Sequence, residues 1–162
     1  MSRLGERIGE VVRGRRAAVV GVGNRLRGDD GAGAIVAERL QGRLAGPVLD
    51  AETVPENYLG VLIDAQVEVV LFVDAADHGG APGTWCLAPA ADLAASTVTT
   101  HAMSLLLLAL ALETRGIDCW LIGIQPGGAG FDAPLTAAVA AGAGRVVGAL
   151  VEALAAPEVL HV

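Results

Sequence analysis

Apolar and polar positions alternate between two kinds of segment along this chain. Val67 to Val73 reads Val-Glu-Val-Val-Leu-Phe-Val, nearly all apolar and rich in β-branched residues. That pattern predicts a strand buried on both faces. Shorter runs of the same kind lie at Arg16 to Val20, Val48 to Ala51, Thr84 to Leu87 and Cys119 to Ile124. Between them the period changes. Ala32, Ile35, Val36, Leu40 and Leu44 recur at spacings of three and four, which predicts one face of a helix. Short helical patterns cover Tyr58 to Ile63 and Ala102 to Thr114, and an alanine-rich helix follows Pro134 and runs to about Leu154. Strands that alternate with helices predict an α/β fold. The expected architecture is a single three-layer domain over residues 1–162: a twisted, mostly parallel sheet of about five strands with helices on both faces. Residues 1–14 read as an N-terminal extension, a short helix or tail. Thr84 to Leu87 fits a sheet edge.

Composition narrows the function. The chain has 162 residues, 53% of them hydrophobic and 18% charged, the balance of a globular domain and not of a disordered one. Its formal net charge of −7 argues against a nucleic-acid partner. All 11 basic residues are arginine. Without lysine there is no Schiff-base chemistry, no P-loop lysine and no Ser-Lys dyad. The serines are Ser2, Ser96 and Ser104, none of them in a GxSxG elbow. Cys86 and Cys119 form no CxxC and fall in strand-like segments, so each is expected to be a buried, reduced core residue. The start of the chain lacks the apolar run of a signal peptide. Leu105 to Leu112, the longest apolar run, is far shorter than the ~20 residues of a membrane span. A cytoplasmic protein with no membrane insertion is the expectation.

Candidate chemistry begins at the run Gly21-Val22-Gly23-Asn24-Arg25-Leu26-Arg27-Gly28-Asp29-Asp30-Gly31-Ala32-Gly33, between the first strand and the first long helix. In an open parallel sheet such a turn lies at the carboxyl edge, where ligands bind. Its Gly-x-Gly start suggests a dinucleotide fingerprint, but Leu26 stands where the third glycine belongs. Helix capping accounts for Asp29. Asp30 is left over. Asp74 ends the long central strand, and His101 opens the helix after Thr97 to Thr100. With the first and third strands as neighbours, Asp30 and Asp74 flank one crevice and His101 closes it. Two carboxylates and an imidazole suit nickel or zinc and leave coordination positions open. Each residue also has a bland reading: Asp74 as a turn cap, His101 as a structural histidine at a helix start. His78, in a glycine-rich loop, and His161, near the C-terminus, are weaker candidates.

The chain resembles the nickel-iron hydrogenase maturation endopeptidases, in particular those that process the large subunit of formate-hydrogenlyase-type hydrogenases. The matching segments are Gly21 to Asn24 with Gly28 to Gly33, Pro55-Glu56-Asn57, Val73 to Asp77, Pro82-Gly83, Thr99 to Met103, and Gly123 to Pro126. They occur in order over nearly the whole domain. The resemblance implies an endopeptidase, aspartic-type by the family's classification. It would remove the C-terminal peptide of the large-subunit precursor after nickel insertion. Asp30, Asp74 and His101 would be its catalytic and metal-contacting residues, and the nickel would arrive with the substrate as the recognition element. No organic cofactor is implied. Many relatives carry Glu where this chain has Asp30, one methylene longer. The competing reading is a non-catalytic, chaperone-like module that senses metal on the hydrogenase large subunit. A nucleotide-binding enzyme is the third.

Overall fold

A computed structural model of the chain describes residues 1–92, 101–128 and 130–156. Five strands form one sheet: β1 (Ala17–Gly21), β2 (Val48–Asp50), β3 (Val69–Ala75), β4 (Trp85–Pro89) and β5 (Asp118–Ile124). Their spatial order is β2-β1-β3-β5-β4. β1, β2, β3 and β5 run parallel, and β4 pairs antiparallel with β5 at the edge, as the Thr84 to Leu87 segment suggested. The helices are α1 (Arg3–Val12), α2 (Ala32–Leu40), α3 (Leu59–Asp64), α4 (Ala102–Glu113) and α5 (Ala137–Leu154). Two 3-10 turns, Gly28–Gly31 and Pro55–Tyr58, precede α2 and α3.

Strand parity builds the three layers. Val69, Leu71 and Val73 of β3 face α1, α2 and α5, in a cluster with Ile8, Val36, Val146 and Leu150. Val70 and Phe72 face the opposite way, onto Leu62 of α3 and Leu105, Leu108 and Leu112 of α4. Every residue of β3 is buried, as its continuous apolar run requires. The strand runs past its expected end. Asp74 pairs in register with Gly123 and Ala75 with Ile124, so Asp74 lies inside the ladder and not at a turn. Parity then turns Asp74 to the Val70–Phe72 side, toward α4.

Residues Arg3–Val12 form a helix whose Leu4, Ile8 and Val12 are buried against α5. Arg7 stacks on the Trp85 ring, 5.5 Å from its centroid, and donates to the Leu87 carbonyl, so the segment is pinned to β4 as well. The apolar helix α5 is 18 residues long, enough by length and composition to cross a membrane. Here Val139, Ala143, Val146 and Leu150 bury one face of it in the core. Cys119 is fully buried, and burial first, then the charges of Glu113 and Asp118, push its thiol up to about 12. Cys86, expected in the core, is only half-buried, because β4 is an edge strand whose outer flank has no neighbour in the sheet. Both cysteines are free thiols.

Candidate active site

The chain leaves β1 for β2 on one side and returns across β1 to β3 on the other. The carboxyl ends of β1 and β3 therefore flank the point where the strand order reverses, the place where open α/β sheets bind ligands. The glycines of the turn after β1 are required by packing. A Cβ on Gly33 would collide with the carbonyls of Val73 and Val22, and one on Gly21 with the Gly33 carbonyl. Only bare backbone lets α2 come this close to β1 and β3. A Cβ on Gly23 would likewise meet the Asp30 carbonyl, so close packing accounts for both glycines of Gly-x-Gly.

Asp29 does not cap α2. The N-cap of α2 is Gly31, with no side-chain cap bond. Asp29 is fully buried and reaches across to the loop between β5 and α5. Its carboxylate accepts from the Gly127 and Gly128 amides, both at 2.8 Å, from the Thr136 amide at 2.7 Å and from the Thr136 hydroxyl at 2.9 Å. Those donors lie about a hundred residues away in sequence, so local capping rules had no access to them. Gly127, Gly128 and Thr136 are exposed, so water can take up their donors once the carboxylate is gone. What is lost is hydrogen bonding to a charged acceptor, and Asp29→Ala is expected to destabilise the protein by about 1.5–3 kcal/mol. Urea unfolding checks this; an unchanged midpoint would show that the loop does not depend on the carboxylate.

Asp30, Asp74 and His101 do converge. His101 Nδ1 lies 3.2 and 3.3 Å from the two carboxylate oxygens of Asp74. On the other side of the ring, Nε2 lies 3.8 Å from Asp30 Oδ2. These separations are well inside the ~8 Å that a shared coordination shell allows, with metal bonds to N and O of about 2 Å each. Asp74 is fully buried, while Asp30 and His101 are each 8% exposed. The imidazole thus lies between the two carboxylates. Asp74 holds one ring nitrogen from inside, and the other nitrogen and Asp30 reach the surface together. His101 is the N-cap residue of α4 but makes no side-chain cap bond. Its ring is spent on the carboxylates, not on ending a helix. The preceding segment Thr97 to Thr100 lies outside the described residues, as does His161. Among the described residues, no three His, Cys, Asp or Glu side chains form a ready-made metal cage.

Burial pulls the His101 pKa down, but the Asp74 hydrogen bond and the charges of Asp74 and Asp30 outweigh it, and the net direction is up from 6.5. A histidine whose folded pKa is raised contributes stability that is fully present below its unfolded value and is lost as pH rises through the folded one. The His101 ring protons are expected to titrate above 6.5 in NMR. The stability margin of the parent over His101→Gln should shrink as pH rises through that midpoint. A midpoint at or below 6.5 would mean that the carboxylates do not dominate.

Sequence reasoning gave Gln125 no role, although it directly follows β5 at the same sheet edge. Its side chain is buried and fully engaged. The amide oxygen accepts from the His78 and Gly80 amides, and the amide nitrogen donates to Asp77 Oδ1 at 3.0 Å. Gln125 thereby fixes the loop that leaves β3 just beyond Asp74. The hydrogen bond from Gln125 and that from the Gly79 amide hold the Asp77 carboxyl below its usual range. His78 is tied into this loop, its Nε2 3.2 Å from the Thr84 carbonyl. Its position after a strand and its place in the matching segment Gly123 to Pro126 were the signals available for Gln125.

Fold and site define a three-layer α/β domain with an acid–histidine–acid cluster at its topological switch point. A family model described as hydrogenase maturation protease (HycI) matches residues 35–153. The crystal structure of the [NiFe] hydrogenase maturation protease HycI from Thermococcus kodakarensis KOD1 is 31% identical, with a TM-score of 0.80 over 91% of this chain and 98% of that one. The solution structure of the endopeptidase HycI from Escherichia coli is 30% identical, with a TM-score of 0.72 over 82% of this chain and 87% of its own. The hydrogenase maturating endopeptidase HybD from E. coli is 27% identical, with a TM-score of 0.69 over 83% and 91%. No curated protein sequence gives a significant match. The chain belongs to the hydrogenase maturation protease family. Its general role is that of a maturation peptidase.

Proposed function

We propose that this protein removes the C-terminal peptide of a nickel-iron hydrogenase large-subunit precursor after nickel insertion, in the cytoplasm, and that Asp30, Asp74 and His101 carry the reaction. The observation that carries this reading is the convergence of His101 on both carboxylates at the switch point, in a chain of this family.

The metal is part of the substrate. Nickel bound to the precursor's thiolates would find further ligands in this cluster, since imidazole and carboxylate both suit such an ion. His101 is prepared for that role. With Nδ1–H donating to Asp74, the neutral ring turns its Nε2 lone pair toward Asp30 and the surface. A carboxylate behind a histidine fixes its tautomer and orientation and raises its basicity as a ligand. Asp30 lies beside Nε2 and offers a second surface oxygen, as ligand or as general base for water. Its reach is one methylene shorter than that of Glu, so the scissile region must approach the turn after β1 more closely.

The two carboxylates meet opposite nitrogens of one ring. The pairing is acid–histidine in its geometry, which favours water activation near a metal over an aspartic dyad. The alternative, a metal-sensing module that binds the large subunit without cutting it, would use the same three residues. Incubation with nickel-loaded precursor separates the two. The proposal expects the precursor to lose the mass of its C-terminal peptide. An intact precursor in a stable complex with this chain would favour the sensing module.

A further inference from the structure

Eight large apolar side chains are exposed among the described residues, and four of them come to one edge of the sheet. Leu26 is 56% exposed, Val54 39%, Met103 67% and Phe131 83%. They come from four segments far apart in sequence. Leu26 belongs to the turn after β1, four residues before Asp30. Val54 belongs to the loop after β2, and its amide donates to the Ala51 carbonyl. Phe131 belongs to the loop after β5, and the Asp132 amide donates to the Leu26 carbonyl, which ties the two segments together. Met103 is in the first turn of α4, two residues after His101. In a parallel sheet, the loops after β1, β2 and β5 all leave the carboxyl edge, and α4 begins there because His101 meets Asp74 of β3. The four side chains therefore share the edge that holds Asp30 and His101. Between Leu26 and the loop after β2 lies a shallow depression of about 270 Å³, lined by Gly23 to Leu26, Glu52 and Thr53.

Exposed apolar groups gathered at one place mark a surface that meets another. We propose that Leu26, Val54, Met103 and Phe131 form an apolar rim that docks a complementary apolar surface on the folded body of the precursor, around the point where its C-terminal segment enters the cleft. This rests on the reading of the site as a protease for that precursor. The occupant follows from continuity. A segment that reaches Asp30 and His101 passes beside this rim, because Leu26 stands on the turn that carries Asp30, Met103 follows His101 in α4, and Phe131 is tied to Leu26 through Asp132. Arg25, on one side of Leu26, is engaged by Asp50 at 2.7 Å and by the Ala34 carbonyl, while Arg27, on its other side, is exposed. The rim therefore combines apolar contact with one exposed arginine. The rim would also separate two tasks. Body docking supplies affinity, and the buried cluster is left to inspect the metal.

The test uses the full chain and a purified, nickel-loaded large-subunit precursor. Leu26→Ser and Phe131→Ser are combined in one variant, and Val61→Ser with Leu110→Ser in a control variant. The control residues are also exposed, at 47% and 46%, but stand further along α3 and α4. All four substitutions are at exposed positions, so circular dichroism and the unfolding midpoint should match the parent. The rim variant is expected to raise KM for the precursor at least tenfold with kcat unchanged at saturation, and the control to leave both unchanged. Direct binding of precursor is measured alongside, with the same tenfold loss expected. Equal KM and equal binding in the rim variant and the parent would overturn the inference, as would a larger loss in the control than in the rim. A parent that binds the precursor without shortening it overturns the protease reading instead, and the binding arm then decides the rim by itself.

Discussion

His101→Ala is expected to lower the rate of precursor processing at least about a hundredfold, the lower end of what a positioned acid–base group contributes. The cause is local. The ring is the only group in the described residues seen to contact both Asp30 and Asp74, at 3.8 Å and 3.2 Å. Its loss removes the Nε2 ligand and leaves Asp30 and Asp74 without the ring that lies between them. Some stability goes with it, because Asp74 is fully buried and gives up a hydrogen-bonding partner, a change worth about 1–3 kcal/mol. The protein should still fold, since the two core clusters on either side of the sheet do not include His101. His101→Gln is the companion variant: it keeps a polar group near Asp74 but cannot supply an imidazole. Mass spectrometry of the precursor, with circular dichroism of each variant, separates lost chemistry from lost structure. A folded His101→Ala protein that processes at the parent rate would remove His101 from the site.

The second large effect concerns the metal on the substrate. Precursor without nickel is expected to remain uncut, and model peptides that contain only the scissile bond should not rescue cleavage. Two carboxylates and one imidazole hold a divalent ion weakly unless other ligands join them. The precursor's own ligands must therefore complete the set. Zinc-loaded precursor is the instructive control. Zinc takes the same donors but prefers a tetrahedral set, whereas nickel accepts square-planar and higher coordination. Cleavage with nickel but not with zinc would show that Asp30, Asp74 and His101 respond to coordination geometry. Equal cleavage with both would reduce them to recognition of positive charge. Equal cleavage of metal-free precursor would end the proposal that nickel is the recognition element.

The alternation of strands and helices determined the fold class, the five strands and the buried centre. Val67 to Val73 is too uniformly apolar for anything but a strand covered on both sides, and β3 is that strand. Pattern also put Asp30, Asp74 and His101 at corresponding ends of elements, because strand ends and helix starts are punctuated locally. Pairing was out of its reach. Hydrogen bonds in the sheet, not residue type, decide that β3 continues through Ala75, and this extension turns Asp74 inward toward α4. Likewise Asp29 looked like a cap, because Asp before a helix usually is one. Only the fold brings Thr136 and the Gly127 and Gly128 amides to it, and three backbone donors and a hydroxyl outbid a single capping bond. The N-terminal segment shows the same division. Leu4, Ile8 and Val12 state a helix with one apolar face, but the partner that buries it, α5, lies at the other end of the chain. Local sequence sets which backbone states and faces are available, on energies of a few residues. Which faces meet is decided by tertiary contacts between distant segments, and at this site those contacts determine that Asp74 supports the histidine while Asp30 stands beside it at the surface.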